Sequence, residues 1–294
     1  MSEIKDPMYV QPTSDIGFHW IFCTEGNDEV VLQLLNILID DKEIVSFDRL
    51  NPEHVVKADT RFTFDLYCKC TDGSRIIVEC QNRSKRERFM NRALAYSAMA
   101  INDQLKPKLE YEYNKVYFIG LLNYDQFKHR KEPITKVRLY TDDHVLANDN
   151  YLQIFVELRK LPKKSGDDFP TVFLKALRDL GQTEKQDEGF KDERLQALLK
   201  AASFPSMPKQ QQEDYKTYMT TEQDVREYWE EQVSDAREEG FAEGKDERSM
   251  EIARAMMAKG IDLTTIAECT GLSEEPKFET RKGGFGNGYH SIKL

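Results

Sequence analysis

The segment RFTFDLYCKCTDGSRIIVECQ, Arg61–Gln81, constrains the fold more than any other part of the chain. Two runs of alternating apolar residues flank an Asp72-Gly73 turn signal, the pattern of a β-hairpin. Yet Asp65 lies inside the first run, and Glu79 and Gln81 close the second. Successive side chains on a strand point to opposite faces. Phe62, Phe64 and Leu66 thus share one face of the first strand and Thr63, Asp65 and Tyr67 the other. On the second strand, Ile76, Val78 and Cys80 oppose Ile77, Glu79 and Gln81. If the apolar faces coincide, Asp65 lies across from Glu79 or Gln81, within about 5 Å. That pairing needs an odd number of loop residues. A three-residue loop Asp72-Gly73-Ser74 with a left-handed glycine would supply it, whereas a two-residue turn would set Asp65 against Cys80 and part the acids.

The flanking sequence supplies partners for this hairpin. NDEVVLQLLNILI predicts a helix of about three turns, with Asn27 or Asp28 as N-cap. EIVSFDRLN reads as a strand that Pro52 stops. RSKRERFMNRALAYSAMAINDQL carries Phe89, Ala93, Tyr96 and Ala100 at helical spacing, with Ser84 as cap. KVYFIGLLN is a continuous apolar run, the mark of a central strand covered on both faces. ITKVRLYT and LQIFVELRKL read as two more strands, and TVFLKALRDL as a helix. From Pro208 onward the chain is charged and helical, with the loose period-four repeat REEG/FAEG/KDER. IDLTTIAECTGLSEE then reads as a helix, a glycine turn and the start of another. The glycine-rich end, PKFETRKGGFGNGYHSIKL, reads as a disordered tail.

Two close carboxylates repel, and one keeps its proton unless a cation neutralises them. Hard oxygen donors suit Mg²⁺ or Mn²⁺, ions that polarise phosphoryl groups and activate water. The plain alternative makes Asp65 and Glu79 exposed strand residues among Arg61, Lys69 and Arg75. Net charge is −10 over 294 residues, which argues against broad non-specific nucleic-acid binding but leaves room for a local basic patch. There is no apolar run of about 18 residues, so no membrane span is expected. The N-terminus lacks signal-peptide features, and the five cysteines lack framework spacing, pointing to reduced thiols in a cytoplasm. Cys68 and Cys70 read as core residues rather than zinc ligands.

FDLYCKCTDGSRIIVECQ resembles the Asp…Glu-x-Lys motif of PD-(D/E)XK nucleases, in the variant with glutamine for the lysine. YVQPTSDIGFHWIF resembles the opening motif of the PD-(D/E)XK nuclease family transposases, or Rpn-type recombination-promoting nucleases. RFMNRALAYSAMAINDQL, VYFIGLLNY and AREEGFAEGKDERSMEIARAMMAKGIDLTTIAECTGLSEE are similar to that group's next helix, following strand and charged C-terminal segment. The likeness runs in order through most of residues 9–275.

This resemblance implies an α/β fold: a mixed central sheet flanked by helices, a restriction-endonuclease-like core, with a long charged C-terminal helix. It implies Mg²⁺-dependent (or Mn²⁺-dependent) DNA cleavage, linked to recombination or mobile elements. Asp65 and Glu79 would be metal ligands, and Gln81 would orient water in place of the lysine. Asp15 corresponds to the acid of the opening motif, a catalytic residue that would complete the metal or water network, or else serves as an N-cap or turn residue. His19 stands where the group usually has lysine, to touch phosphate or to cap the helix. Lys85, Arg86, Arg88 and Arg92 are candidate phosphate contacts, or equally a solvated helix face. Tyr96 and Gln104 match the group's helix and also suit core or cap positions.

The expected organisation is a nuclease-like domain over 1–207, a long helix (about 213–258) with a small helical closing segment over 208–275, and a tail over 276–294. DNA is the expected partner, with no membrane, and a homo-oligomer could form through the C-terminal helix. The rival reading is a nuclease-fold protein that no longer cleaves and acts as a DNA-binding or oligomeric module. It draws on the net acidity, whereas the intact Asp65, Glu79 and Gln81 favour the enzyme.

Overall fold

The computed structural model describes residues 6–57, 60–82, 86–105, 111–162, 168–182, 190–221 and 248–270. The chain divides into two compact units, Met1–Tyr218 and Met219–Leu294.

The first unit opens with α1 (Asp15–Phe18), which runs directly into a π-helical turn, His19–Cys23. α2 (Asp28–Leu38) follows, burying Val30, Val31, Leu34, Leu35 and Leu38. Its N-cap position is Asn27, whose side chain caps nothing and instead donates to the Trp20 carbonyl at 3.2 Å. Next come β1 (Phe47–Arg49), β2 (Glu53–Lys57), β3 (Thr60–Thr63), β4 (Leu66–Cys70) and β5 (Arg75–Gln81). α3 (Arg86–Asn102) leads to β6 (Val116–Leu122), β7 (Ile134–Tyr140) and β8 (Leu146–Glu157). α4 (Phe169–Asp179), α5 (Gln196–Ala202) and α6 (209–221) complete the described part.

Among the described residues the main sheet has six strands in the order β1-β4-β5-β6-β8-β7. β5, β6 and β8 run parallel to one another, and the other pairings are antiparallel, so the sheet is mixed. β6 lies at its centre and is buried at every position, as a strand covered on both faces must be. On one face, Tyr67, Ile77, Phe118 and Phe155 pack with Phe89, Ala93, Tyr96 and Ala100 of α3. The alternating residues Ile76, Val78, Ile119, Leu121, Ile154 and Val156 are buried on the other.

Gly120 sits where that aromatic layer comes closest to the sheet. It pairs with Glu79 on one side and Phe155 on the other. A Cβ there would lie 3.1 Å from the Phe89 ring and 3.2 Å from that of Phe155. The missing side chain lets α3 settle beside Glu79. Gly120→Val is therefore expected to overpack this layer and cost about 1–3 kcal/mol, read as a lowered urea midpoint with unchanged slope.

The hairpin differs from its sequence expectation in two ways. The strand does not run continuously from Arg61: it breaks at Phe64–Asp65. β3 pairs with β2 in a separate ribbon, while β4 lies between β1 and β5. Phe64 N–H donates to the Pro52 carbonyl at 3.0 Å and Leu50 N–H to that of Tyr67 at 2.8 Å, so β1 and the turn after it take over the pairing. Phe64 thus reaches the same cluster as Tyr67, ring centroids 5.0 Å apart, rather than alternating to the opposite face. The loop is also shifted by one residue. Cys70 and Ser74 pair, with Cys70 N–H to Ser74 O at 3.0 Å, leaving Thr71-Asp72-Gly73 as the three-residue loop. Gly73 has φ +85°, open to glycine at little cost.

In the second unit, residues 248–258 form α7, and α8 spans Leu263–Thr270 after a turn at Gly260. Asp262 caps α8, accepting from Thr265 N–H at 3.0 Å and from its hydroxyl at 2.7 Å. The expected long helix over 213–258 is seen only in its two ends, and its middle, like the glycine-rich tail, lies outside the described residues. No described helix is long and apolar enough to cross a membrane.

Candidate active site

The β4–β5 register sets the site. Leu66 pairs with Val78 and Tyr67 with Ile77, so stepping back one residue brings Asp65 opposite Glu79, the odd-loop register. Each carboxylate then accepts one backbone N–H from the strand opposite it. Asp65 N–H donates to Glu79 Oε1 at 3.0 Å, and Cys80 N–H donates to Asp65 Oδ2 at 2.8 Å. Where the ladder stops at the bend, the side chains continue it. Cys23 thiol donates to the Asp65 carbonyl at 3.1 Å and steadies the bend from the π-turn.

α1 is brought to the same place by its own start. Ser14 is the N-cap: its hydroxyl oxygen accepts from Gly17 N–H at 3.1 Å. This displaces the cap role considered for Asp15, which lies in the first turn and is exposed. Asn82 side chain donates to the Thr13 carbonyl at 2.6 Å, tying the end of β5 to the residue before the cap. Asp15, Phe18, His19 and Cys23 then line one wall of a cavity of about 500 Å³ that also reaches Asp65, Leu50, Pro52 and Phe64. His19 stands exposed in this wall at the C-cap position of α1, its backbone N–H donating to the Asp15 and Ile16 carbonyls.

Charge is finely set here. Glu79 is only 2% exposed. Burial first, and Asp65 second, push its carboxyl up to about 8, against the pull of Arg92. Asp65 touches solvent at the cavity mouth but is walled by protein elsewhere. That desolvation raises its carboxyl, Asp15 adds to the rise, and the Cys80 N–H, Arg92 and His19 oppose it. Arg92 Nη2 lies 3.7 Å from Glu79 Oε2 and donates to Gln81 Oε1 at 2.6 Å.

Residues 12–232 match the family model described as PD-(D/E)XK nuclease family transposase. The chain belongs to this family. Residues 246–275 of the nuclease match a second model, the C-terminal HTH domain of the Rpn/YhgA-like nuclease family. The transposase-family nuclease is thus of the Rpn type, and its six-stranded mixed sheet flanked by helices is consistent with a restriction-endonuclease-like α/β fold. The HTH match takes in α7 and α8, the helices read from IDLTTIAECTGLSEE and the charged run before it. Both matches support DNA as the partner. A search of curated proteins and another of solved structures each gave no match.

Nucleases of this type typically use divalent metals, and the donors at the site fit one in kind. Both acids offer hard carboxylate oxygens, each with one oxygen held by a backbone N–H and, among the described residues, no hydrogen bond to the other. Mg²⁺ and Mn²⁺ fill such partial sites with water and phosphate oxygens. Among the described residues no three acids, histidines or cysteines converge as a closed cage, so Asp15 shares the cavity without completing a ligand cluster. Of the basic candidates, Lys85 and the Arg86 side chain lie outside the described residues, and Arg88 is exposed. Arg92 faces inward to Gln81 and Glu79. Tyr96 donates to the Thr63 carbonyl at 3.2 Å and Gln104 caps the end of α3, both structural placements. The sequence reading missed the inward role of Arg92, although its place between Phe89 and Tyr96 on the buried stripe was the available signal.

Proposed function

We propose that this nuclease is a Mg²⁺- or Mn²⁺-dependent DNA endonuclease, a phosphodiester hydrolase acting in recombination or on mobile elements. The observation that carries the reading is the pair of backbone hydrogen bonds that sets Asp65 beside Glu79, one from Asp65 N–H to Glu79 Oε1 and one from Cys80 N–H to Asp65 Oδ2; the cation would take the second oxygen of Asp65 and, in place of Arg92, that of Glu79. Asp65 and Glu79 would hold the ion. When bound, such an ion polarises a phosphoryl oxygen and makes hydroxide available near neutral pH.

The chain's own groups do the remaining work. Cys80 N–H and Asp65 N–H keep the carboxylates in place, so little reorganisation is needed as DNA binds. Gln81 contacts the attacking water or the phosphate. Asp15 and His19 are exposed in the cavity wall; Asp15 would complete the metal or water network beside Asp65, and His19 would donate to phosphate. Arg88, with Lys85 and Arg86, adds contacts along the strand. The nuclease domain over 1–207 works with the C-terminal helical region over 208–275 in a cytoplasmic protein, with self-association through the charged helix.

Supercoiled plasmid should be nicked when Mg²⁺ or Mn²⁺ is present and left intact when EDTA replaces it. Cleavage unchanged by EDTA would contradict the metal. The second reading, DNA binding without cleavage, draws on the HTH match. It takes over if plasmid is retarded on a gel yet never cut with either ion.

A further inference from the structure

We infer that Arg92 is a positioning residue that holds the Gln81 carboxamide by its oxygen, so that the amide turns its N–H donors to the Asp65–Glu79 site. The inference rests on the endonuclease reading for its consequence but not for its geometry. Arginine is a donor without acceptor capacity, whereas a carboxamide carries an acceptor oxygen and a donor NH₂. Arg92 Nη2 lies 2.6 Å from Gln81 Oε1. Turning the amide over would set two donors face to face, so this orientation follows from the chemistry of the pair.

The guanidinium is itself well held. It lies 3.7 Å from Glu79 Oε2, over the Phe89 ring at 5.1 Å and over the Tyr96 ring at 5.9 Å. Its side chain is 35% exposed. One cation thus bridges the buried acid and the glutamine, from the next element in the chain.

The chemical result differs from a water-orienting glutamine. With one lone pair of its oxygen taken by a cation, Gln81 is a weaker acceptor for the proton of an attacking water. Its N–H groups suit a phosphate oxygen, and the charge-assisted bond from Arg92 polarises the amide into a better donor. The pair Gln81–Arg92 thereby shares what a single lysine at position 81 would provide: a donor at the site and a positive charge behind it. It also means that a lysine placed at 81 alone would meet the guanidinium as a like charge.

Five variants and one spectrum test this. Gln81→Lys and Arg92→Met should each lose about 10²-fold in kcat with little change in KM. Gln81→Lys/Arg92→Met should recover to within about tenfold of wild type, and Arg92→Lys should keep most activity. If the double variant is no more active than Gln81→Lys, the shared role is wrong. Independently of cleavage, the side-chain amide signal of Gln81 in a nitrogen–proton correlation spectrum, assigned by its loss in Gln81→Ala, should move in Arg92→Met and stay near its wild-type position in Arg92→Lys. An unmoved signal in folded Arg92→Met overturns the inference. A moved signal in a protein that cuts no DNA would sustain the amide placement while sinking the endonuclease reading.

Discussion

Asp65→Ala and Glu79→Ala proteins, purified free of other nucleases, are expected to leave supercoiled plasmid intact where wild type nicks it with Mg²⁺ or Mn²⁺. Removing either carboxylate takes away half of the protein's hold on the ion, and with it a Lewis-acid effect of several kcal/mol. At about 1.4 kcal/mol per tenfold, the rate should fall about 10³-fold or more. Both variants should fold. Glu79→Ala loses the acceptor for Asp65 N–H but also removes a buried acid, and Asp65→Ala removes its repulsive neighbour. Asp65→Ala cutting plasmid at the wild-type rate would show that the site lies elsewhere.

The second large effect is on stability against pH. The Glu79 carboxyl stands at about 8 in the fold, against an ordinary value of 4.5. The folded chain therefore binds this proton more tightly than the unfolded chain. Below about 4.5 both states are protonated and there is no cost. As pH rises toward 8 the unfolded chain gains by ionising while the folded one does not, so stability falls. Above about 8 both states are ionised, the full cost is present, and stability falls no further. Glu79→Gln keeps an oxygen to accept Asp65 N–H and has nothing to ionise. It should match wild type near pH 5 and melt several degrees higher at pH 8.5. Mg²⁺ should stabilise wild type at pH 8.5 and leave Glu79→Gln nearly unchanged. Melting curves that differ by the same amount at both pH values would refute this account of Glu79.

The sharing of one face by the two acids was legible because strand parity is unforgiving: with a period of two, an odd loop puts Asp65 opposite Glu79 or Gln81 and an even one does not, and the pairing of Cys70 with Ser74 selects Glu79. The apolar stripe of α3 and the run of β6 were legible for the same reason, since burial imposes a period. The break at Phe64–Asp65 was not. RFTFDLY is strand-prone except at Asp65, which reads as a site residue, and what ends the strand is a distant acceptor, the Pro52 carbonyl. The one-residue loop shift was likewise hidden, because Asp72-Gly73 can open or close a three-residue loop and only the pairing of Cys70 with Ser74 decides. The π-turn at His19–Cys23 carries no local signal either, yet it brings Cys23 to the Asp65 carbonyl. Arg92 reads from the sequence as a phosphate contact or a solvated-face charge because sequence shows its spacing but not the buried acid across from it.

Crystals of the wild-type protein grown with Mn²⁺, with data collected at the manganese absorption edge, test the central claim most directly. The account predicts an anomalous peak within coordination distance of both the Asp65 and Glu79 carboxylates, absent from Asp65→Ala crystals grown alike. A peak bound by other residues, with these two acids still joined only to backbone N–H groups, would contradict it.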